Sequence, residues 1–91
     1  MSASVRDRAR WRETVRAWLK NKPSGFTFRS RDIYCWAESG AVPLNQDDLK
    51  PYSKSSKRPF WRYVLSCALQ DLYRAGELAH PGIAGQIWRV P

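Results

Sequence analysis

Apolar residues recur at three- and four-residue spacings between residues 59 and 75, which is the pattern of a helix with one buried face. This face consists of Trp61, Val64, Leu65, Ala68, Leu69 and Leu72. Pro59 suits the first turn of a helix, because the N–H that proline lacks would have no partner there. Gly76 follows at the place where a residue in the left-handed conformation commonly ends a helix. The pattern therefore predicts a long helix at about residues 59–75.

Three short stretches are typical of β-strands. Residues 77–80 and 86–90 follow the long helix, and residues 81–85 between them contain one proline and two glycines. This composition favours a loop that joins two paired strands. Residues 26–29 place two phenylalanines on either side of a threonine, which predicts a third strand beside this hairpin.

The first helix is predicted at residues 5–21, after a disordered tail at residues 1–4. Its apolar positions lie on one face, and basic residues surround the rest of it. The apolar positions are Trp11, Val15, Trp18 and Leu19. Residues 21–25 contain the asparagine, proline and glycine that end the helix.

A second helix is predicted at residues 31–38, with Ser30 as its N-cap and Asp32 in its first turn. The residues that we expect it to bury are Ile33 and either Trp36 or Ala37.

Residues 41–58 show the least regular pattern in the chain. Asn45 is a good N-cap for one helical turn, and Pro51 would end that turn. The order of elements is therefore helix, strand, helix, helix, strand, strand. This order predicts an α+β fold in a single domain, residues 1–91, with residues 41–58 as a long insertion between the second and third helices.

The charge of the chain is strongly positive and unevenly distributed. Sixteen Lys and Arg against eight Asp and Glu give a net charge of +8. Nine of these basic residues lie in residues 1–31 and five in residues 50–62, where no acid occurs, whereas residues 63–91 are balanced. Such clustering favours a polyanionic partner, either a nucleic acid or an acidic membrane surface.

A membrane is the weaker of these two partners. The first helix carries little bulky apolar surface besides tryptophan, no apolar run approaches the length of a bilayer span, and no signal segment opens the chain. Cys35 and Cys67 define neither a metal site nor a disulfide framework. We therefore expect a cytoplasmic protein that does not bind membranes.

The face of the long helix opposite the apolar one lacks carboxylates. It offers guanidinium, phenol, hydroxyl and amide groups, which can donate hydrogen bonds to base edges in the major groove. The candidates for base reading are Arg62, Tyr63, Ser66 and Gln70. The alternative is a solvated surface that happens to contain no acid.

Phosphate contacts are predicted at cations and hydroxyls near this helix and on its neighbours. The candidates are Ser53, Lys54, Ser55, Lys57, Arg58, Arg29, Arg31, Arg74 and His80. Residues 53–58 alternate hydroxyls with cations just ahead of a helix N-terminus, although a solvated linker has the same composition. The basic face of the first helix would add phosphate contacts, unless it is an ordinary solvated surface.

Catalytic chemistry is not indicated. The acids are scattered, the chain has one histidine, and it contains no glycine-rich phosphate loop and no metal-ligand spacing. We expect no catalytic residues, no metal and no cofactor, and therefore a protein that is not an enzyme.

The last third of the chain resembles winged helix-turn-helix domains, and more closely the winged-helix modules of bacterial restriction endonucleases, of the Mrr amino-terminal type. The residues that carry the resemblance are Trp61-Arg62, the run ALQDLYRAGEL at 68–78 and the run GQIWRV at 85–90. It implies a DNA-binding module with the long helix in the major groove, serving a restriction or defence system with a fused or associated nuclease domain. Residues 41–58 are longer than the usual turn, and the wing at residues 80–86 lacks Lys and Arg.

Double-stranded DNA is therefore the predicted partner, and the long helix, residues 53–58 and the first helix are the predicted contacts. One alternative is a winged helix that binds a protein through exposed aromatic side chains, with Tyr52, Phe60, Tyr63 and Trp36 as candidates. Another is RNA, with Tyr63 or Tyr52 stacking on unpaired bases.

Overall fold

A computed structural model of the chain describes residues 4–51, 53–55, 57–80 and 87–91. Within these residues the fold is α+β, with four α-helices and a two-stranded antiparallel sheet. The elements in chain order are α1 (Val5–Leu19), β1 (Thr27–Arg29), α2 (Ser30–Trp36), a π-helical turn (Ala37–Ala41), α3 (Gln46–Leu49), α4 (Phe60–Arg74) and β2 (Ile87–Arg89).

Helix α4 corresponds to the long helix predicted from the sequence. All six residues of its predicted apolar face are buried, and Phe60 is buried with them. Pro59 lies at the N-cap, one residue before the predicted first turn. At the other end, Gly76 has a φ of +80°, and the N–H of Glu77 donates to the carbonyl of Leu72 at 2.8 Å. This is the hydrogen bonding of a glycine-ended helix.

The core is centred on the contact between α4 and α1. The indole rings of Trp11 and Trp61 stack with centroids 5.8 Å apart, and both side chains are essentially inaccessible to solvent. Helix α1 begins at Val5, as predicted, and Ser4 is its N-cap, whose hydroxyl accepts the N–H of Asp7 at 3.1 Å. Ser4, which we had predicted to lie in a disordered tail, is thus hydrogen-bonded to the first turn of the helix, and residues 1–3 lie outside the described residues.

The sheet is smaller than predicted. Strands β1 and β2 pair in the register Phe28↔Trp88, and Ala79 adds a single antiparallel bridge to Arg89 on the other side of β2. Residues 77–80 do not form a full strand, because the N–H groups of Glu77 and Leu78 donate to the C-terminus of α4 instead. The predicted loop at residues 81–85 lies outside the described residues.

Helix α2 starts one residue earlier than predicted, with Arg29 as its N-cap. Asp32 accepts the N–H of Arg29 at 2.8 Å and so satisfies the helix end. Ser30 is therefore not the cap: it is buried, and its hydroxyl accepts a hydrogen bond from Nε1 of Trp88 at 2.9 Å. The expected burial of this helix is confirmed for Ile33 and Ala37, whereas Trp36 is half-buried.

The described residues between 41 and 58 include more regular structure than their sequence pattern indicated. The predicted cap is confirmed, since Asn45 accepts the N–H of Asp48 at 2.9 Å, and Asp48 in turn accepts the N–H of Asn45. Pro51 and Pro59 form a β-bridge, and the N–H of Phe60 donates to the carbonyl of Lys50 at 2.7 Å. The segment between them therefore starts and ends at one point, directly before α4.

Ion pairs attach α1 to the rest of the domain. Arg8 and Arg12 both pair with Asp71 of α4, Arg10 reaches the buried Asp48 at 2.7 Å, and Arg16 reaches Glu77 at 2.8 Å. Hydrogen bonds, mainly from Arg8 and also from Arg12, hold the pKa of the Asp71 carboxyl below its usual value. The pKa of Glu77 is lowered in the same way by Arg16.

We expect Ser30→Ala to lower the free energy of unfolding by about 1–3 kcal/mol, because the buried N–H of Trp88 would lose its acceptor. Urea unfolding followed by tryptophan fluorescence measures this. Thr27→Ala on the exposed face of β1 is the matched control and should change stability by less than about 0.5 kcal/mol. An equally small effect of Ser30→Ala would show that this hydrogen bond contributes little.

Stability should fall as the pH drops below about 4, where unfolded carboxyl groups begin to bind protons. A carboxyl whose pKa is lowered by folding stabilises the fold fully above its unfolded pKa and loses this contribution as the pH falls through its folded pKa. Urea unfolding between pH 7 and pH 2.5 tests this for Asp71 and Glu77. In Asp71→Asn the free energy of unfolding should fall less steeply with decreasing pH, whereas Glu38→Gln should leave this dependence unchanged. Identical pH profiles for the two variants would show that Asp71 does not contribute to it.

Candidate nucleic-acid interface

The outward face of α4 is a line of polar side chains four residues apart. Arg62, Ser66, Gln70 and Arg74 follow one another along the helix, because residues at this spacing lie above one another on its surface. The first three are half-buried and Arg74 is exposed. This face points away from the buried apolar face, as the sequence predicted.

Three of these side chains line a groove between α2 and α4, with a volume of about 320 Å³. The residues that line it are Ser30, Arg31, Tyr34, Arg58, Arg62, Ser66, Gln70 and Trp88. They come from α2, from the residues before α4, from α4 itself and from β2. The structure thus brings together five predicted site residues: Arg31, Arg58, Arg62, Ser66 and Gln70.

The chemistry of this groove is cationic and polar. Three arginines line it together with three hydroxyl-bearing residues and one amide, and none of its described lining residues is a carboxylate. Arginine, serine and glutamine are donors to phosphate oxygens and base edges. The groove is therefore suited to an anionic ligand that also presents hydrogen-bond acceptors.

Arg62 has a restricted position in the groove. Its guanidinium carbon lies 4.6 Å from the centroid of the Tyr34 ring, and that ring contacts Trp61 edge-on with centroids 6.1 Å apart. Nε of Arg62 is buried without a hydrogen-bond partner among the described residues. The arginine is therefore laid along α2 rather than extended into solvent.

Arg31 also lines a second, more open groove of about 480 Å³ beside β1. Arg29 lies there with Asp32, whose carboxylate already accepts the N–H of Arg29. Both arginine side chains are exposed. The cationic surface thus continues from α2 onto the sheet.

The segment ahead of α4 presents its cations to solvent. Lys54, Ser55 and Lys57 are exposed, Ser53 is half-buried, and the hydroxyl oxygens of Ser53 and Ser55 are 3.3 Å apart. Because the Pro51–Pro59 bridge fixes the ends of the segment, these groups lie near the N-terminal end of α4. The two lysines and Ser55 are therefore exposed at this end of the helix, and their contact with phosphates stays a prediction.

The basic face of α1 is largely ion-paired within the domain. Four of its arginines, at positions 8, 10, 12 and 16, are engaged by carboxylates of α1, α3, α4 and the turn after α4. We therefore do not include these arginines in the candidate interface, and a phosphate contact by this helix stays a prediction.

His80 is also corrected. Its Nδ1 lies 2.9 Å from the carbonyl oxygen of Ile87, and its ring contacts Trp88 and Tyr73 with centroid distances of 4.1 Å and 4.5 Å. The histidine therefore holds the residues after α4 against β2, and we remove it from the phosphate contacts.

Three of the four aromatic residues that we considered as protein contacts are buried or half-buried. Phe60 is buried, and Tyr63 is half-buried with its ring 6.1 Å from that of Phe60. Trp36 is half-buried and lies 6.1 Å from Trp18, and Tyr52 is outside the described residues. Tyr63 does not line the groove, so it is not placed with the other base-reading candidates.

The sequence did not indicate that Tyr34, Ser30 and Trp88 would belong to the site. Tyr34 follows Arg31 at a helical spacing of three, which is the only local signal that could have connected them. Trp88 and Ser30 are brought to the groove by the pairing of β1 with β2, which no local pattern specifies.

Within the described part of the chain, no helix is long and apolar enough to cross a bilayer. The same residues contain no cluster of three or more His, Cys, Asp or Glu side chains placed to hold a metal ion, and both cysteines are free thiols. In comparisons with known proteins, no family model, no curated protein and no solved structure matches this chain.

Proposed function

We propose that this protein is a winged-helix module that binds double-stranded DNA through the outward face of α4. The observation that supports this most is the groove between α2 and α4, where three arginines converge without a carboxylate. DNA affinity depends mainly on cations that neutralise phosphates, and base identity is read by donors and acceptors in the grooves.

The distribution of charge supports the same surface. Because Asp48, Asp71 and Glu77 pair with α1, the excess of basic residues falls largely on the side of α2, α4 and the sheet. The basic residues of these elements and of the segment before α4 are Arg29, Arg31, Lys54, Lys57, Arg58, Arg62, Arg74 and Arg89. A field concentrated on one side of a small domain orients it toward a polyanion.

The arrangement of elements is compatible with a winged helix. In this proposal α4 enters the major groove, Ser66 and Gln70 contact base edges, and Lys54 and Lys57 contact the backbone beside the helix N-terminus. The resemblance of residues 68–78 and 85–90 to modules of restriction endonucleases adds a proposed context, in which the domain senses a sequence or a modified base for a nuclease. A binding screen over duplexes with and without modified bases tests that context.

The affinity for duplex DNA should fall steeply with salt. Neutralisation of about four to six phosphates gives a slope of about −4 to −5 in a plot of log K against log salt concentration. Fluorescence anisotropy with a labelled duplex between 50 and 300 mM KCl measures it. A slope near zero would remove electrostatic DNA binding, and tighter binding to RNA or single strands in the same assay would reassign the ligand.

Gln70→Ala should lower affinity for the preferred duplex by about 1–3 kcal/mol and leave other sequences nearly unchanged, because an amide reads base edges. Lys57→Ala should weaken all sequences alike and reduce the salt slope by about 1. Selection from a random duplex pool, followed by anisotropy on the best and worst sequences, separates the two effects. Arg6→Ala, on the exposed start of α1, is the matched control for charge. Equal losses on every sequence for Gln70→Ala would show that it does not read bases.

A further inference from the structure

We infer that the groove between α2 and α4 holds one phosphate group of the bound DNA, gripped by Arg31, Arg58 and Arg62, and that Tyr34 is the positioning residue for Arg62. This inference rests on the proposed function and deepens it. It moves Arg62 from the base-reading residues, where the sequence placed it, to the phosphate contacts.

The position of Arg62 carries the first step. An arginine that reads guanine extends its guanidinium edge into the major groove and approaches two acceptors at once. Here the guanidinium lies on the ring of Tyr34, 4.6 Å from its centroid, and Nε is buried. Because Nε is buried, a ligand can meet only the terminal nitrogens, and Arg62 is one of the residues that line the groove.

The composition of the groove carries the second step. Arg31, Arg58 and Arg62 line the same cavity of about 320 Å³. Like charges in a partly desolvated groove repel one another, and an anion placed between them offsets this repulsion. The N–H donors of an arginine bind two phosphate oxygens at once. None of the described residues that line the groove is a carboxylate that would compete with a phosphate for these donors.

The shape of the site carries the third step. A helix face that enters the major groove has to protrude from the protein surface. This part of the α4 face is instead a depression, bounded by α2 on one side. A phosphate protrudes from the surface of a duplex and fits a depression. Ser66 and Gln70 line the same groove one and two turns further along α4, so the base edges beside the bound phosphate lie on their side of it.

Tyr34 restricts the position of the Arg62 guanidinium because its own ring is held in place by the core. Its ring is packed edge-on against the buried Trp61, with centroids 6.1 Å apart, and the guanidinium stacks on its outer surface. Pre-organising a long side chain removes part of the entropy cost of binding. Tyr34 acts through Arg62 and does not itself need to touch DNA.

The first experiment uses inorganic phosphate as the probe and the full chain labelled with ¹⁵N. Phosphate is titrated at constant ionic strength against chloride while the backbone amide, arginine Nε–H and glutamine side-chain signals are followed by NMR. We expect saturable shifts for Arg31, Arg58, Arg62 and Gln70, and no saturable shift for Arg6. Shifts confined to Lys54 and Lys57, or equal shifts with chloride, would overturn the inference.

The second experiment measures duplex affinity for variants. Arg62→Ala should weaken every duplex sequence by about ten- to a hundredfold and reduce the salt slope by about 1, whereas Arg6→Ala should do neither. A changed sequence preference in Arg62→Ala would show that this residue reads a base, and would overturn the inference.

A cycle of variants tests the positioning role of Tyr34. Tyr34→Phe keeps the ring and should bind as the unmodified protein does, whereas Tyr34→Leu should weaken binding several-fold. The double variant Tyr34→Leu, Arg62→Ala should bind as Arg62→Ala alone, because the tyrosine acts only through the arginine. Additive losses would indicate a purely structural role and would overturn the positioning assignment.

The phosphate can be an internal diester or a monoester at a strand end, and three duplexes of one sequence distinguish them. These have 5′-phosphate ends, 5′-hydroxyl ends, or closed ends in a dumbbell. Equal affinities assign an internal phosphate, and a preference for the first assigns a strand end. If the unmodified protein binds none of these duplexes but inorganic phosphate still shifts the groove signals, the proposed function fails and the phosphate site stands. If the protein binds duplexes but phosphate does not shift these signals, the phosphate site fails and the proposed function stands.

Discussion

The packing of α4 along α1 is the contact on which the rest of this structure depends. Trp11 and Trp61 stack at its centre and are almost completely buried. In a domain of this size only about 60–65% of the unfolded surface can be buried, so large rings supply much of the apolar stabilisation. Because this contact fixes the rotation of α4 about its axis, it also decides that positions 62, 66, 70 and 74 point outward.

The ion pairs around this contact have a second consequence, which concerns function. Asp71 receives two arginines of α1, and Glu77 and Asp48 receive one each. These pairs neutralise arginines of α1 and, at the same time, the acidic side chains of α3, α4 and the turn after α4. In a chain with a net charge of +8, most of the positive charge of α1 is thus offset by acidic side chains, whereas α2 and α4 carry arginines that line a groove with no carboxylate among its described lining residues. In the sequence, by contrast, α1 is a strongly basic element, with five arginines in fifteen residues.

Helix α4 contributes to the proposed site on one face only, and its neighbours complete it. Helix α2 supplies Arg31 and Tyr34, the segment before α4 supplies Arg58, and β2 supplies Trp88. The hydrogen bond from Trp88 to Ser30 links β2 to the start of α2 at the groove. The site is therefore a property of the way these elements meet, and a single helix taken alone would present a different surface.

Much of the local structure follows from the sequence itself. The spacing from Trp61 to Leu72 determined the buried face of α4, Gly76 determined its end, and Asn45 determined the cap of α3, since each depends on contacts within a few residues. The absence of acids from the outward face of α4 was also visible in the sequence. What only the tertiary structure decided were the interactions between distant residues: the neutralisation of Arg8 and Arg12 by Asp71, the packing of His80 on Trp88, the burial of Ser30 and the stacking of Arg62 on Tyr34. Periodicity reports which face of a helix is apolar, but the partner of a charged side chain is set by how helices and strands pack, over separations that no local pattern records.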